Sequence, residues 1–148
     1  MRAVVQRVTE AKVTIDGETV GSIRNGLCVL LGVSVEDNAS DADYISDKLL
    51  GLRIFDDENG VPNRSVCDKS GAILLVSQFT LLGDARKGRR PSYIDAARPE
   101  QAIPLYERCI EKLSAAVPVE TGRFGADMKV TIENDGPFTI LLDSKKGF

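Results

Sequence analysis

The segment Arg2-Ala-Val-Val-Gln-Arg-Val-Thr-Glu-Ala-Lys-Val-Thr-Ile15 decides the fold, because its residues alternate in two registers. The first register contains Val4, Gln6 and Val8, and the second contains Ala11, Val13 and Ile15. A period of two is typical of a β-strand, and a register change within the strand indicates a bulge. The segment therefore predicts one long strand that bends at Thr9-Glu10.

Turn residues and further apolar runs extend this strand into a sheet. Asp16-Gly17 and Asn25-Gly26 are hairpin turns that predict strands over 19–23 and 27–35. Apolar spacing predicts helices over 41–51 and 99–116. Further strands are predicted over 53–55, 72–82, 129–133 and 138–142, the last two joined by a connection over 134–137. Strands outnumber helices, so we expect sheets that helices cover on one side.

Length and composition are those of an ordinary globular protein. The chain has 148 residues, of which 43% are hydrophobic and 28% charged, and we expect residues 1–148 to form a single domain. No apolar run approaches the roughly 20 residues that span a bilayer, and the N-terminus lacks a signal-peptide core. The sequence therefore predicts a cytoplasmic protein with no membrane partner.

The absence of histidine removes several kinds of chemistry. Without imidazole, neither Ser-His-Asp nor Cys-His activation of a nucleophile is available, and neither is an HExxH zinc site. Cys28, Cys67 and Cys109 are far apart and show no CxxC spacing. We therefore expect reduced, buried thiols and no metal site.

A basic loop is the most unusual feature in a chain whose net charge is -3. Its four basic residues lie within five positions and are Arg86, Lys87, Arg89 and Arg90. They are either a solvated loop of mutually repelling charges or a local contact for a polyanion, because guanidinium groups fit phosphate oxygens. The spacing alone leaves both interpretations open.

Two other stretches have a structural and a functional interpretation. Ser77-Gln78-Phe79-Thr80 places three polar side chains in an otherwise apolar strand, either as satisfied core groups or as the wall of a polar pocket. Asp135-Gly136-Pro137 is typical of a turn. Spacing alone assigns it no function.

Taken together, these stretches resemble the successive signature motifs of the D-aminoacyl-tRNA deacylases. The similar segments are MRAVVQRV at 1–8, SQFTL at 77–81, RKGRRPS at 86–92, TGRFGADM at 121–128 and NDGP at 134–137. The resemblance covers the whole chain, and several long motifs in the same order are more specific than any one of them. It implies an α/β fold of three layers, β/β/α, with largely antiparallel, barrel-like sheets covered by helices on one side.

The resemblance also implies an activity and a site. Members of this family hydrolyse the ester between a D-amino acid and tRNA, remove mischarged glycine, and work as homodimers without a required cofactor. It implies that a cis Gly136-Pro137 pair enters the partner subunit's pocket, where its carbonyls leave no room for an L side chain. The other implied residues are Ser77, Gln78, Phe79 and Thr80 in the catalytic pocket, Arg7 and Met128 in support of it, and Arg86, Lys87, Arg89 and Arg90 on the tRNA.

Within that pocket, the backbone N–H groups of Ser77, Gln78 and Phe79 are candidates to stabilise an oxyanion. Thr80 is the evident side-chain nucleophile, but no base is available to activate it. We therefore favour attack by water, assisted by the ribose hydroxyl of the tRNA, over a covalent threonyl ester. A non-catalytic RNA-binding module is the alternative function, because it also explains the basic loop.

Overall fold

The computed structural model describes residues 1–148 and contains eight β-strands, two α-helices and one 3-10 helix. The strands are β1 (Arg2–Ile15), β2 (Glu18–Ile23), β3 (Gly26–Gly32), β4 (Phe55–Asp56), β5 (Pro62–Arg64), β6 (Ala72–Ser77), β7 (Val119–Thr121) and β8 (Lys129–Asp143). The helices are α1 (Ala39–Gly51), α2 (Pro99–Ser114) and the 3-10 helix Phe79–Leu82.

The strand β1 has the predicted bend. Its first half pairs with β3, its second half pairs with β2, and β8 follows it antiparallel over almost its whole length. The β1–β8 ladder changes register on both sides of Val8. As a result, Val5 packs in one hydrophobic cluster and Val13 in another, which confirms that the strand exchanges its buried face at the bulge.

The main sheet has the order β2-β1-β3-β6-β7, with β8 attached to β1. Pairing is antiparallel around β1 and parallel between β3, β6 and β7. The two ends of this order approach each other, since the Ser22 N–H on β2 donates to Glu120 Oε1 on β7 at 3.5 Å. The sheet is therefore a nearly closed barrel, and the prediction of barrel-like sheets covered by helices on one side is confirmed.

Alternate residues of the central strands face two separate cores. The larger core lies between the sheet and the two α-helices and includes Leu27 of β3 and Ile73 of β6. The smaller core lies inside the curled sheet and includes their neighbours Cys28 and Leu74. Because both faces of β3 and β6 are covered, these strands are apolar at nearly every position.

The helix α1 begins at Ala39, two residues before the predicted start. Its N-cap is Asn38, whose side chain accepts a hydrogen bond from the Ser40 N–H at 2.9 Å, while Asp41 Oδ2 accepts from the Asn38 N–H at 2.9 Å. This reciprocal capping box explains why the helix begins at Ala39. The helix α2 ends at Ser114 rather than at 116.

Two predictions are wrong, namely the length of the strand over 72–82 and the connection over 134–137. The strand predicted over 72–82 stops at Ser77, because the chain turns into the 3-10 helix and packs Leu82 against Gly32, where β3 also ends. The stretch 134–137 is not a hairpin between two strands. Both halves of β8 pair with β1 in the same direction, so residues 135–138 bulge out of one continuous strand.

Closure of the barrel predicts an effect of adding one methyl group at Gly21. A Cβ atom there would lie 2.3 Å from the Thr121 carbonyl oxygen on β7, whereas nothing lies within 4 Å of a Cβ at Gly51. We expect Gly21→Ala to lower the free energy of unfolding by about 1–3 kcal/mol and Gly51→Ala to leave it unchanged or raise it. Urea unfolding of both variants measures this. Equal stability of the two variants would contradict the close approach of β2 and β7.

Candidate active site

A cavity of about 280 Å³ opens where β6 ends. Its walls are the ends of β3 and β6, one face of α2 and the segment that leads into β8. The lining residues are Leu31, Val33, Val76, Ser77, Gln78, Phe79, Ala97, Ala102, Tyr106, Phe124, Gly125, Ala126, Asp127, Met128 and Val130. Most of these side chains are apolar, and the few polar groups therefore determine what can be oriented in the cavity.

Ser77, Gln78 and Phe79 line the cavity together, as the sequence predicted for a pocket. Their backbone donors are not equivalent, because the Gln78 N–H already donates to the Leu31 carbonyl at 2.8 Å. Phe79 and Thr80 are the first residues of the 3-10 helix, and N–H groups in the first turn have no partner within a helix. The Gln78 N–H is therefore not free to stabilise an oxyanion, whereas the N–H groups of Phe79 and Thr80 are candidates.

Thr80 lies outside the cavity wall. Its side chain is exposed, and its Oγ1 accepts a hydrogen bond from the Gln78 side-chain amide. No Lys, Asp or Glu forms a hydrogen bond with this hydroxyl, so the structure offers no base beside it.

The Gly136-Pro137 pair is exposed at the tip of the β8 bulge, and its peptide bond is cis. The bulge is held at its base by Asn134, whose Nδ2 donates to the carbonyls of Arg7 and Phe138, both at 3.0 Å. Neither Gly136 nor Pro137 lines the cavity of its own chain. A single chain therefore keeps this pair apart from the cavity, and its entry into the partner subunit's pocket, which the resemblance implies, stays a prediction.

Arg7 is buried beneath this bulge. Its guanidinium donates to the Ile54 carbonyl at 2.8 Å and lies 5.0 Å from the centre of the Phe138 ring. Its Nε is 3.2 Å from Asp135 Oδ2 but is not aligned for a hydrogen bond. Arg7 therefore supports the bulge and not the cavity, whereas Met128 lines the cavity itself.

The basic loop is closed at its base by two backbone hydrogen bonds between Asp84 and Ser92, each 2.8 Å long. Arg86 forms a bidentate ion pair with Asp84, in which its Nε donates to Oδ1 at 2.9 Å and its Nη2 donates to Oδ2 at 2.7 Å. This arginine holds the pKa of Asp84 at about 2, so the carboxylate stays ionised and offsets the charge of Arg86. The remaining cations of the loop, Lys87, Arg89 and Arg90, are exposed and form no ion pair.

Several cavity residues were not recognised in the sequence as part of a site. Tyr106 and Ala102 have the helical spacing of core residues, and Tyr106 does donate to the buried Leu75 carbonyl at 2.7 Å, yet both also form the cavity wall. Asp127 is the one acidic side chain in the lining. No pattern in the sequence separates these residues from the core, because the cavity forms only when α2 and the segment before β8 meet.

None of the three cysteines forms a disulfide. Cys28 and Cys109 are buried and Cys67 is exposed, and all three are free. Burial raises the pKa of Cys28 to about 12 and also raises that of Cys109, so both stay protonated at neutral pH. No cluster of three or more potential metal ligands is present. Neither α-helix is long and apolar enough to cross a bilayer.

Comparison with known sequences gives consistent matches along the whole chain. A sequence model of the D-Tyr-tRNA(Tyr) deacylase family matches residues 4–143. A protein of Symbiobacterium thermophilum named D-aminoacyl-tRNA deacylase is 58% identical, with 100% of this chain and 99% of that protein aligned. One of the same name from Thermosipho melanesiensis is 59% identical over 100% of both.

Two solved structures share the fold. The c-Myc DNA unwinding element binding protein is 46% identical, with a TM-score of 0.92 over 97% of this chain and 98% of that one. A probable eukaryotic D-amino acid tRNA deacylase is 18% identical, with a TM-score of 0.82 over 95% of this chain and 97% of that one. The second match supports the fold alone.

The contacts of Arg7 predict that lysine cannot replace it. Lysine keeps the charge but lacks the planar group that bonds Ile54 and stacks on Phe138 at once. We expect Arg7→Lys to cost about 1–2 kcal/mol of stability and to speed amide hydrogen exchange over 134–138. Arg24→Lys is the matched control, because Arg24 is exposed and unpaired. Unchanged exchange over 134–138 in Arg7→Lys would show that Arg7 does not hold the bulge.

Proposed function

This chain belongs to the D-Tyr-tRNA(Tyr) deacylase family, and we propose that the cavity beside Phe79 is its aminoacyl site. The chain is a D-aminoacyl-tRNA deacylase, a hydrolase that cleaves the ester between a D-amino acid and tRNA. The apolar walls suit an amino acid side chain, and the start of the 3-10 helix brings backbone donors to its edge.

The proposal that two subunits form this site rests on one observation. Gly136 and Pro137 are exposed and firmly held, yet they do not reach the cavity of their own chain. The active unit is therefore a homodimer in which the bulge of each subunit closes the cavity of the other. Two-fold symmetry makes both sites equivalent and gives each a wall that one chain alone does not supply.

The wall that the partner subunit's bulge supplies selects between D- and L-aminoacyl groups. Gly136 presents backbone without a side chain, and its φ of +122° is a conformation that favours glycine. Backbone carbonyls at this wall bind the α-ammonium group of the substrate, and the space they occupy is the space that an L side chain needs. A D side chain projects the other way, and glycine has none. The site therefore accepts D-aminoacyl and glycyl esters and rejects L-aminoacyl esters.

Hydrolysis follows without a protein nucleophile. A water molecule attacks the ester carbonyl, and the N–H groups of Phe79 and Thr80 stabilise the oxyanion that forms. The neighbouring ribose hydroxyl relays the proton of the water to the leaving ribose oxygen. The bond between the carbonyl carbon and that oxygen breaks, and the products are a free amino acid and tRNA.

The basic loop binds the rest of the substrate. Lys87, Arg89 and Arg90 are exposed and unpaired next to the Phe79 end of the cavity, where the acceptor stem of a bound tRNA carries its phosphates. Arg86 contributes less, because Asp84 already holds its guanidinium. This substrate places the enzyme in the cytoplasm.

The central test compares D- and L-aminoacyl-tRNA as substrates at catalytic amounts of enzyme. The wild type should release many D-amino acids per subunit and spare the L ester, whereas stoichiometric binding without release would indicate the RNA-binding module.

Ala126→Phe fills the cavity and should abolish turnover. Gly136→Ala places a Cβ 3.1 Å from Arg7 Nη2 and should lower D-ester kcat/KM at least tenfold, with a smaller D-to-L ratio. A wild-type ratio in Gly136→Ala would refute the chiral wall.

The position of Thr80 predicts that its hydroxyl is not the nucleophile. We expect Thr80→Val to keep kcat within about tenfold of wild type, because only the hydrogen bond from Gln78 is lost. A D-aminoacyl-tRNA that lacks the terminal ribose 2′-hydroxyl should be cleaved much more slowly by both proteins. Trapping of an acyl-threonine, or complete loss of activity in folded Thr80→Val, would reverse this assignment.

The ion pair in the basic loop predicts unequal effects of its arginines. Each phosphate contact that is lost lowers the slope of log KM against log salt by about one. We expect a decrease of this size for Arg89→Ala and for Arg90→Ala, but a clearly smaller one for Arg86→Ala. Equal slopes in all four proteins would mean that the loop does not contact phosphates.

A further inference from the structure

An aromatic pair lies on the surface beside the cavity. The rings of Phe79 and Tyr93 meet edge to face, with their centres 5.1 Å apart and their planes at 69°. Phe79 is 56% exposed and Tyr93 is 40% exposed, and the next residue, Ile94, is 80% exposed. Large apolar side chains usually avoid such exposure in neighbouring positions unless the patch binds something.

Tyr93 is held in place on both sides. The preceding residue, Ser92, forms the two backbone bonds to Asp84, and the Tyr93 carbonyl accepts a hydrogen bond from the Ala96 N–H at 3.0 Å. Its ring also fills the space above Gly83, where an added Cβ would lie 2.9 Å from Tyr93 Cε1. The ring is therefore a fixed surface that loses little entropy on binding a planar ligand.

The pair connects the two parts of the proposed site. Phe79 lines the cavity, and Tyr93 directly follows the hydrogen-bonded base of the basic loop. In an aminoacyl-tRNA, one terminal ribose carries the amino acid as an ester, the terminal base on C1′ and, on its 5′ oxygen, the phosphate that leads to the stem. If the ester lies in the cavity and the phosphates lie at the loop, the terminal base comes to the surface between the two, where Phe79 and Tyr93 lie.

We propose that Tyr93, supported by Phe79, is the stacking surface for the terminal purine base of the substrate. Unpaired bases of RNA are commonly bound by stacking on aromatic side chains, which is tolerant of sequence because every base has a π face. The adjacent cations favour a nucleic acid over a protein partner for this patch, because they complement phosphate. This inference rests on the proposed aminoacyl site in the cavity.

Kinetics with truncated substrates test the stacking contact. D-aminoacyl-adenosine has the base but no phosphate, and a D-aminoacyl ester of ribose without a base keeps the neighbouring hydroxyl but has neither. Tyr93→Ala should raise KM for D-aminoacyl-adenosine roughly fivefold or more and leave KM for the ester without a base unchanged. Tyr93→Phe should restore the wild-type value. Tyr44→Leu, a change at a half-buried tyrosine on α1, is the matched control. An equal rise for both substrates would mean a general structural role and would overturn the proposal.

A direct binding measurement uses the absence of tryptophan from the chain. Tyr93→Trp introduces a single tryptophan at the surface, which can be excited apart from the remaining tyrosines, and the trinucleotide CCA should quench its fluorescence in a saturable manner. Quenching should fail with an abasic 3′ end. If the fluorescence changes with protein concentration instead of with CCA, the patch belongs to a protein interface and the proposal is wrong.

The variant Ala126→Phe separates this proposal from the one on which it rests. If Ala126→Phe abolishes turnover while Tyr93→Ala has no base-dependent effect, the cavity is the aminoacyl site and only the stacking contact fails. If Ala126→Phe keeps full activity, the cavity is not the aminoacyl site, and the proposed function of this surface fails with it.

Discussion

The exchange of faces in β1 between Arg7 and Glu10 is the constraint on which the rest of the structure depends. Before the bulge, Ala3 and Val5 pack under the two helices, and after it, Ala11 and Val13 pack inside the curled sheet. One strand thereby belongs to both cores, and the sheet must curl around it. The same irregularity leaves room on the partner strand for the four residues that bulge out of β8.

Site geometry follows from two strand ends and one irregularity. The cavity forms because β3 and β6 end together and the chain turns into a short helix, whose first N–H groups have no partner within the helix. The bulge of β8 is supported by Arg7 from below and by Asn134 from within. These two features lie on different parts of one chain, which is why the chemistry we propose needs two copies of it.

The sequence predicted the features that depend on local pattern. The alternation in β1, the hairpin turns and the helical spacing all appear in the structure near their expected positions. Features that depend on packing were missed: apolar residues after Ser77 were assigned to a strand, although Leu82 is buried by a turn. The sequence also gave no sign that Tyr106 lines a cavity or that Asp84 neutralises Arg86, since both follow from contacts made after folding.

The motifs that resemble a known family indicated candidate site residues, but not the hydrogen bonds that each of them makes. The resemblance implied that Gly136 and Pro137 enter the pocket of the partner subunit, and within one chain they lie apart from the cavity beside Ser77 and Phe79. The structure also shows that the Gln78 N–H is already bonded, which leaves the N–H groups of Phe79 and Thr80 as candidate donors. Which backbone N–H groups stay free depends on the hydrogen bonds that the strands form with one another, and no sequence pattern predicts those bonds residue by residue.

Complementation between two variants, one inactive and one impaired, tests the shared site most directly. Ala126→Phe has a blocked cavity and an intact bulge, whereas Gly136→Ala has an intact cavity and a defective bulge. If each cavity is closed by the other subunit, random mixing of the two unfolded and refolded variants should restore about one quarter of the wild-type deacylation rate, since half of the dimers then contain one intact site. A mixture no more active than the separate variants, in dimers confirmed by mass, would contradict the account.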